Sequence, residues 1–163
     1  MILDALDEMR RQMTPGSRLL AIDAGEKTLG LAISDSALKL ASALETIRRT
    51  KFRADAARLQ AICAARNVGG LVIGLPVNMD GSEGPRCQSV RQLAQNLVER
   101  DFAQPIAFWD ERLSTSAVER FLVEEADLSR RRRAQVVDKM AAAYILQGAL
   151  DYLAHGTAAD EQA

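Results

Sequence analysis

The chain reads as an α/β domain built on a five-stranded mixed sheet, a β-meander followed by parallel strands, with helices on both faces. Three observations lead there. Four apolar runs of strand length, Leu19–Ile22, Leu29–Ile33, Gly70–Leu75 and Ile106–Trp109, are each bounded by turn residues or by segments of helical period. The first two are separated by a turn carrying Gly25, the signature of a hairpin. The later runs alternate with helical segments, as in βαβ units, which bury a parallel strand on both faces.

The elements follow in order. Residues 1–17 form an N-terminal extension, a short amphipathic helix (Ile2, Leu3, Leu6, Met9, Met13) ending before Pro15-Gly16. Strand one spans about 18–23 and strand two about 29–35. LASALETIR, 40–48, continues the meander as a third strand. Residues 52–66 place Phe52, Ala56, Leu59, Ile62 and Cys63 at helical spacing, and Asn67 to Gly70 stops that helix. GLVIGL, 70–75, is a buried strand leading into the loop PVNMDGSEGPR, where Gly81 and Gly84 suit positive φ. Pro85 suits the first turn of a helix running to about Arg100. The fifth strand, 106–109, ends in Asp110-Glu111. Ser116 and Glu119 match the capping box of a helix over 116–126, and a last helix spans 134–154. One domain therefore covers 18–154, and 155–163 reads as a disordered tail.

Composition narrows the chemistry. The 163 residues suit one domain with a real core, and 48% hydrophobic with 26% charged is ordinary for a soluble globular protein. No apolar run approaches the roughly 20 residues of a membrane span. The N-terminus has acidic residues and no long apolar stretch, unlike a signal peptide. Cys63 and Cys87 lack metal spacing and read as reduced structural thiols, so a cytoplasmic location is expected. His155 is the only histidine. A His-based triad is thereby excluded, and carboxylates are left to carry any hydrolysis.

Net charge is −1, so the balance alone does not announce a nucleic-acid partner. Its distribution does more. Arg48, Arg49, Lys51 and Arg53 form one basic cluster and Arg130 to Arg133 a second. Each alone reads as a solvated face. Beside a carboxylate site, both look like contacts to a phosphate backbone.

Acids stand where burial or a strand end is expected. Asp23 closes strand one, either capping the turn or holding a cation. Asp110 and Glu111 close strand five. Asp138 shares a helix face with Ala141, Ala142 and Ile145, the face that should pack on the sheet. It is either a first-turn acid favoured by the helix dipole or a ligand. Carboxylates gathered from strand ends and a helix are what hard cations such as Mg²⁺ or Mn²⁺ require. A pair of such ions roughly 4 Å apart can activate water and stabilise the leaving oxygen of a phosphodiester.

Four segments carry a resemblance: DAGEKTLGLAISD (23–35), GLPVNMDGSEGPR (74–86), DERLST (110–115) and VDKMAAAYIL (137–146). In order and spacing they resemble the RuvX (YqgF) family of RNase H-like nucleases over about residues 18–153. The resemblance implies an RNase H-like fold and metal-dependent phosphodiester hydrolysis by Asp23, Glu111 and Asp138, with Asp110 as a further metal ligand. It also implies a nucleic-acid substrate, pre-16S rRNA first and branched DNA second, and a tie to the ribosome or its precursor. RuvC-type resolvases place their second acid at the end of strand four, where this chain has Gly74-Leu75-Pro76. The DERLST acid should serve instead, with a metal geometry unlike that of RuvC. The position after Lys27, often Arg in the family, is Thr28 here.

Substrate contacts are expected from Lys27, from Asn78 and Arg86 around the Gly-rich loop, from Arg112, and from Arg131, Arg132 and Lys139 near the last helix. Trp109 and Tyr144 read as core residues. Three functions compete: a metal-dependent nuclease, a nucleotide-binding ATPase of the kind that also opens with D-x-G, and a non-catalytic RNA or ribosome-assembly module. The ATPase would need a second domain, for which the chain has no room. A resolvase would act as a homodimer, whereas an RNA-processing nuclease can act as a monomer.

Overall fold

The computed structural model describes residues 1–113 and 140–155. Helix α1 (Leu6–Gln12) precedes a hairpin of β1 (Arg18–Ala24) and β2 (Thr28–Ser34), extended by β3 (Ala41–Arg48). Then follow α2 (Phe52–Ala65), β4 (Val68–Leu75), α3 (Pro85–Glu99), β5 (Ile106–Asp110) and a 3₁₀ turn (Glu111–Leu113). Residues 140–155 form the C-terminal helix. The expected helix over 116–126 lies outside the described residues.

The sheet order is β3-β2-β1-β4-β5. β1 pairs antiparallel with β2 and parallel with β4, and β4 pairs parallel with β5. This is the mixed sheet that the sequence predicts, and β3 takes its place on the meander with seven register pairs. The middle segments of the central strands, Leu19–Ile22 and Leu71–Ile73, are apolar because both faces are covered. Alternate residues divide between two cores. Leu20 and Ile22 of β1 and Ile73 of β4 pack with α2 and α3. Leu19 and Ala21, Val72, Ala107 and Trp109 pack with α1 and the C-terminal helix. That helix lies close because its inward face is small: Ala142 and Ala149 are fully buried, and the Trp109 ring fills the space a side chain at Gly148 would need.

Two boundaries differ from the sequence reading. α2 ends at Ala65, Asn67 turns the chain with φ +53°, and β4 starts at Val68, so Gly69 belongs to the strand rather than to the stop. A Cβ at Gly70 would lie 2.9 Å from the Met9 sulfur, so the glycine makes room for α1. The N-terminal extension is also more than a helix. Ile2 bridges Ile106 in parallel, with Leu3 N donating to Ile106 O (2.8 Å) and Ile106 N to Met1 O (2.9 Å). Those bonds cover the β5 edge, a common remedy for an exposed strand.

Candidate active site

Side-chain alternation and the turn after β5 decide which acids meet. On β1, Asp23 shares its parity with Leu19 and Ala21, and so faces the C-terminal helix side. On β5, Ala107 and Trp109 face that side, and Glu111, opening the 3₁₀ turn after the strand, brings its carboxyl to the same side beside Gly74. Asp110 follows Ile106 and Phe108 to the opposite side. Ile22 pairs with Ile73 in the parallel register, so Asp23 lies abreast of Gly74, between the two strands' carboxyl ends. This is where open α/β sheets place their ligands.

Glu111 reaches Asp23 across Gly74. A Cβ on Gly74 would stand 2.6 Å from Glu111 Oε1, 3.1 Å from its Cγ and 2.6 Å from Ile145 Cδ1. The position where the fourth strand lacks an acid therefore provides the space through which the neighbouring strand's acid is delivered. The two carboxyl groups are hydrogen-bonded to one another, an arrangement that needs a shared proton. Burial first, then the Asp23 charge and that hydrogen bond, push Glu111 from its ordinary 4.5 up to about 7, and Arg86 opposes the rise.

Asp110 has a different setting. Arg112 grips it in a fork, Nη2 to Oδ2 at 2.6 Å and Nε to Oδ2 at 2.9 Å, while Arg112 N donates to Oδ1 at 3.0 Å. The guanidinium beside it holds the Asp110 carboxyl below the usual range. Arg112 Nη1 also points to the Met79 carbonyl (3.4 Å), joining the DERL turn to the 76–84 loop.

That loop is ordered by its own polar groups. Asp80 Oδ1 accepts from Ser82 N (2.9 Å) and Ser82 Oγ (2.6 Å), and Asn78 Nδ2 donates to Ser82 Oγ (3.1 Å). Asn78 is thus engaged within the turn. Gly81 has the expected positive φ, +88°. Gly84 does not: it is the extended N-cap of α3, with φ −93° and ψ −168°. Lys27 is exposed at the tip of the hairpin, where Gly25 N donates to Thr28 O (2.9 Å). Arg86 is exposed in the first turn of α3, with Pro85 ahead of it at the helix start. Asp138, Lys139, Arg131 and Arg132 lie outside the described residues.

Trp109 is buried, edge-on to Tyr152 at 6.1 Å, which fits a core role. Both cysteines are buried and free, and burial pushes the Cys63 thiol up to about 11. Such a thiol is inert as a nucleophile. No helix among the described residues is long and apolar enough to cross a membrane.

Among the described residues no three His, Cys, Asp or Glu side chains group tightly enough to hold a metal by themselves. The Asp23–Glu111 pair still fits a hard cation. Its donors are all oxygen, and the two acids repel when both are ionised, a repulsion that a bound cation would offset. Sequence reasoning missed Gly74 as a site residue. It registered the absence of an acid there, but not the room that absence leaves.

Residues 17–152 match the profile of the family described as "RuvX: Holliday junction resolvase". A protein of Rhodospirillum centenum named "Putative pre-16S rRNA nuclease" is 56% identical over 163 residues, covering 98% of this chain and 86% of its own length. One of Paramagnetospirillum magneticum with the same name is 61% identical over 145 residues, covering 88% and 92%. Among solved structures, Thermus thermophilus RuvC in complex with a Holliday junction substrate superposes with a TM-score of 0.50 at 14% identity, covering 79% of this chain and 91% of that one. The yeast mitochondrial Holliday junction resolvase Ydc2 gives 0.51 at 12% identity, covering 92% and 86%. These two likenesses show that the chain shares the fold of those proteins. With the profile spanning nearly the whole domain, the chain belongs to the RuvX family.

Proposed function

We propose that the chain is a divalent-metal-dependent endonuclease that hydrolyses phosphodiesters in structured nucleic acid, with the 5′ leader of precursor 16S rRNA as its substrate in the cytoplasm. The carboxyl pair Asp23–Glu111, brought together across β4 from the carboxyl ends of β1 and β5, carries the reading. The names of the relatives support the substrate. Asp23 and Glu111, with Asp138 by its sequence position, would hold Mg²⁺ or Mn²⁺. When bound, such ions supply an activated water and stabilise the leaving oxygen. The chain's own part is to fix the carboxylates. Gly74 admits Glu111, and Arg112 withdraws Asp110 to the other side of the sheet. Asp110 then acts as the anchor of the 76–84 loop rather than as a principal ligand.

The family description names a resolvase, so branched DNA is the second substrate, cut by a dimer that places two sites across a junction. The test is cleavage by purified protein, with Mg²⁺ or Mn²⁺, of a precursor rRNA leader and of a four-way DNA junction. Cutting of the RNA that Glu111→Gln removes is the expected result. Paired, Glu111-dependent cuts in the junction alone would transfer the assignment to a resolvase. Binding of both without cutting would make the chain a ribosome-assembly module.

A further inference from the structure

A cleft of about 510 Å³ opens at the same end of the sheet, on the α3 side of the β1–β2 turn. It begins at Ala24 and Gly25, the residues directly after Asp23, and its far wall is the first turn of α3 with Arg86 and Ser89. Arg49 and Thr50, from the β3–α2 junction, form the wall facing them. A second cavity of about 490 Å³ shares Arg49 and Ser89 and continues along α3 past Gln88, Gln92 and Asn96, with Phe52 on its wall. The two make one groove leading away from the carboxylates.

The Arg49–Thr50 wall is held in place. Arg49 N donates to Lys27 O (2.8 Å) and its Nη1 to Gly25 O (2.7 Å), which leaves most of a five-donor guanidinium beyond that bond. Asp55, a buried carboxylate, accepts from both Thr50 N and Thr50 Oγ1 at 3.3 Å. Burying an acid is costly unless its partners are fixed. Here the partner is the residue next to Arg49. Opposite, Arg86 makes no ion pair among the described residues, and its charge is felt at Glu111. Glu26 is the single acid on the first cavity's lining, against two arginines, and no aromatic ring lines that cavity.

We propose that this cleft binds a phosphate of the nucleic-acid backbone neighbouring the one that is cut, with Arg49 and Arg86 as facing cationic walls and Ser89 as a hydroxyl donor. Guanidinium forks recognise phosphate in two-point contacts, and the first cavity, lined by two arginines and no ring, suits backbone, whereas Phe52 in the adjoining cavity offers a face for a base further along. The adjoining cavity along α3 gives a polymer somewhere to continue, which a mononucleotide would not need. The strand thus crosses the end of the sheet from Glu111, past Arg86, to Arg49 and the α3 face.

The ligand's identity rests on the nuclease reading, but the test does not depend on cleavage. Binding of a 5′-labelled single-stranded RNA from the precursor leader is measured by fluorescence anisotropy in EDTA, over a range of salt. Ser89→Glu, which leaves the Arg49–Gly25 bond intact, should weaken binding about tenfold. Arg86→Ala should weaken it several-fold and flatten the salt dependence by about 0.7, the loss expected for one single-strand phosphate contact. Arg66→Ala, at the opposite end of the sheet, should bind as wild type. Wild-type affinity and salt slope in both cleft variants, with unchanged melting curves, would overturn the proposal. So would a wild-type protein that does not bind this RNA. Binding that depends on the cleft, in a protein that never cuts, would leave the cleft standing and remove the nuclease.

Discussion

Gly74→Ala adds one methyl group, on a strand residue that is neither acid nor base. The backbone there is extended, so alanine meets no φ penalty. Space is the difficulty. The new Cβ would lie 2.6 Å from Glu111 Oε1 and 2.6 Å from Ile145 Cδ1, whereas ordinary contact begins near 3.4 Å. Ile145 is buried in the core, and Glu111 ends in a rotatable carboxyl, so Glu111 gives way by close to 1 Å. A displacement of about 1 Å at a reacting centre can lower a rate about 100-fold. Stability should fall as well, since overpacking costs about 1–3 kcal/mol, partly offset by about 0.4–1 kcal/mol from a stiffer unfolded chain. Gly70→Ala is the control, because its Cβ would crowd Met9 and Leu19 instead, at 2.9 and 3.0 Å. The assay is the metal-dependent cleavage rate of both variants beside their melting temperatures. The account expects Gly70→Ala to lose stability and keep its rate, and Gly74→Ala to lose its rate. A Gly74→Ala protein cutting at the wild-type rate would refute the claim that Glu111 is delivered across this glycine.

Other outcomes follow from the same geometry. Because Glu111 holds its proton more tightly folded than unfolded, its contribution is present below about pH 4.5 and is lost as pH rises through about 7. Metal-free protein should weaken over that window, and Glu111→Gln should abolish this part of the decline. The full shift corresponds to at most roughly 3 kcal/mol, and solvent access and sharing with Asp23 reduce it to about 1–2. Urea melts at pH 5 and pH 8 in EDTA measure it, and equal pH slopes in both proteins would contradict it. Adding Mg²⁺ or Mn²⁺ should raise the melting temperature of the wild type, by the equivalent of about 2.7 kcal/mol at 100 times Kd, and leave that of Glu111→Gln nearly unchanged. Arg112→Ala should free the 76–84 loop, seen as faster amide exchange at Gly81 and Ser82, while the Asp23–Glu111 pair survives.

Much of this site was legible in the chain itself. The hairpin turn places Asp23 at a strand end, and the run Ile106–Trp109 places Asp110-Glu111 at the end of strand five, but which of the two meets Asp23 was not legible, because Glu111 leaves the strand and its alternation for a 3₁₀ turn. What escaped needed the third dimension. The pairing of Ile2 with Ile106 joins residues about a hundred positions apart, and no local pattern announces it. Gly69 looks like a helix stop because glycine usually punctuates, and only the approach of Ser17 explains it inside a strand, as that of Met9 explains Gly70. The groove wall is assembled from the β3–α2 junction and α3, so Arg49 was seen as a member of a basic cluster and Ser89 was not singled out.

The central claim is that Glu111, and not the adjacent Asp110, completes the carboxylate site with Asp23. Cleavage of the precursor rRNA leader by Glu111→Gln and by Asp110→Asn, at matched protein and metal concentrations, tests it most directly. The account predicts that Glu111→Gln loses at least 100-fold in rate, on the order of what a misplaced reacting group costs, while Asp110→Asn keeps most of its activity and loses stability. Retained cutting by Glu111→Gln together with its loss in Asp110→Asn would contradict the account.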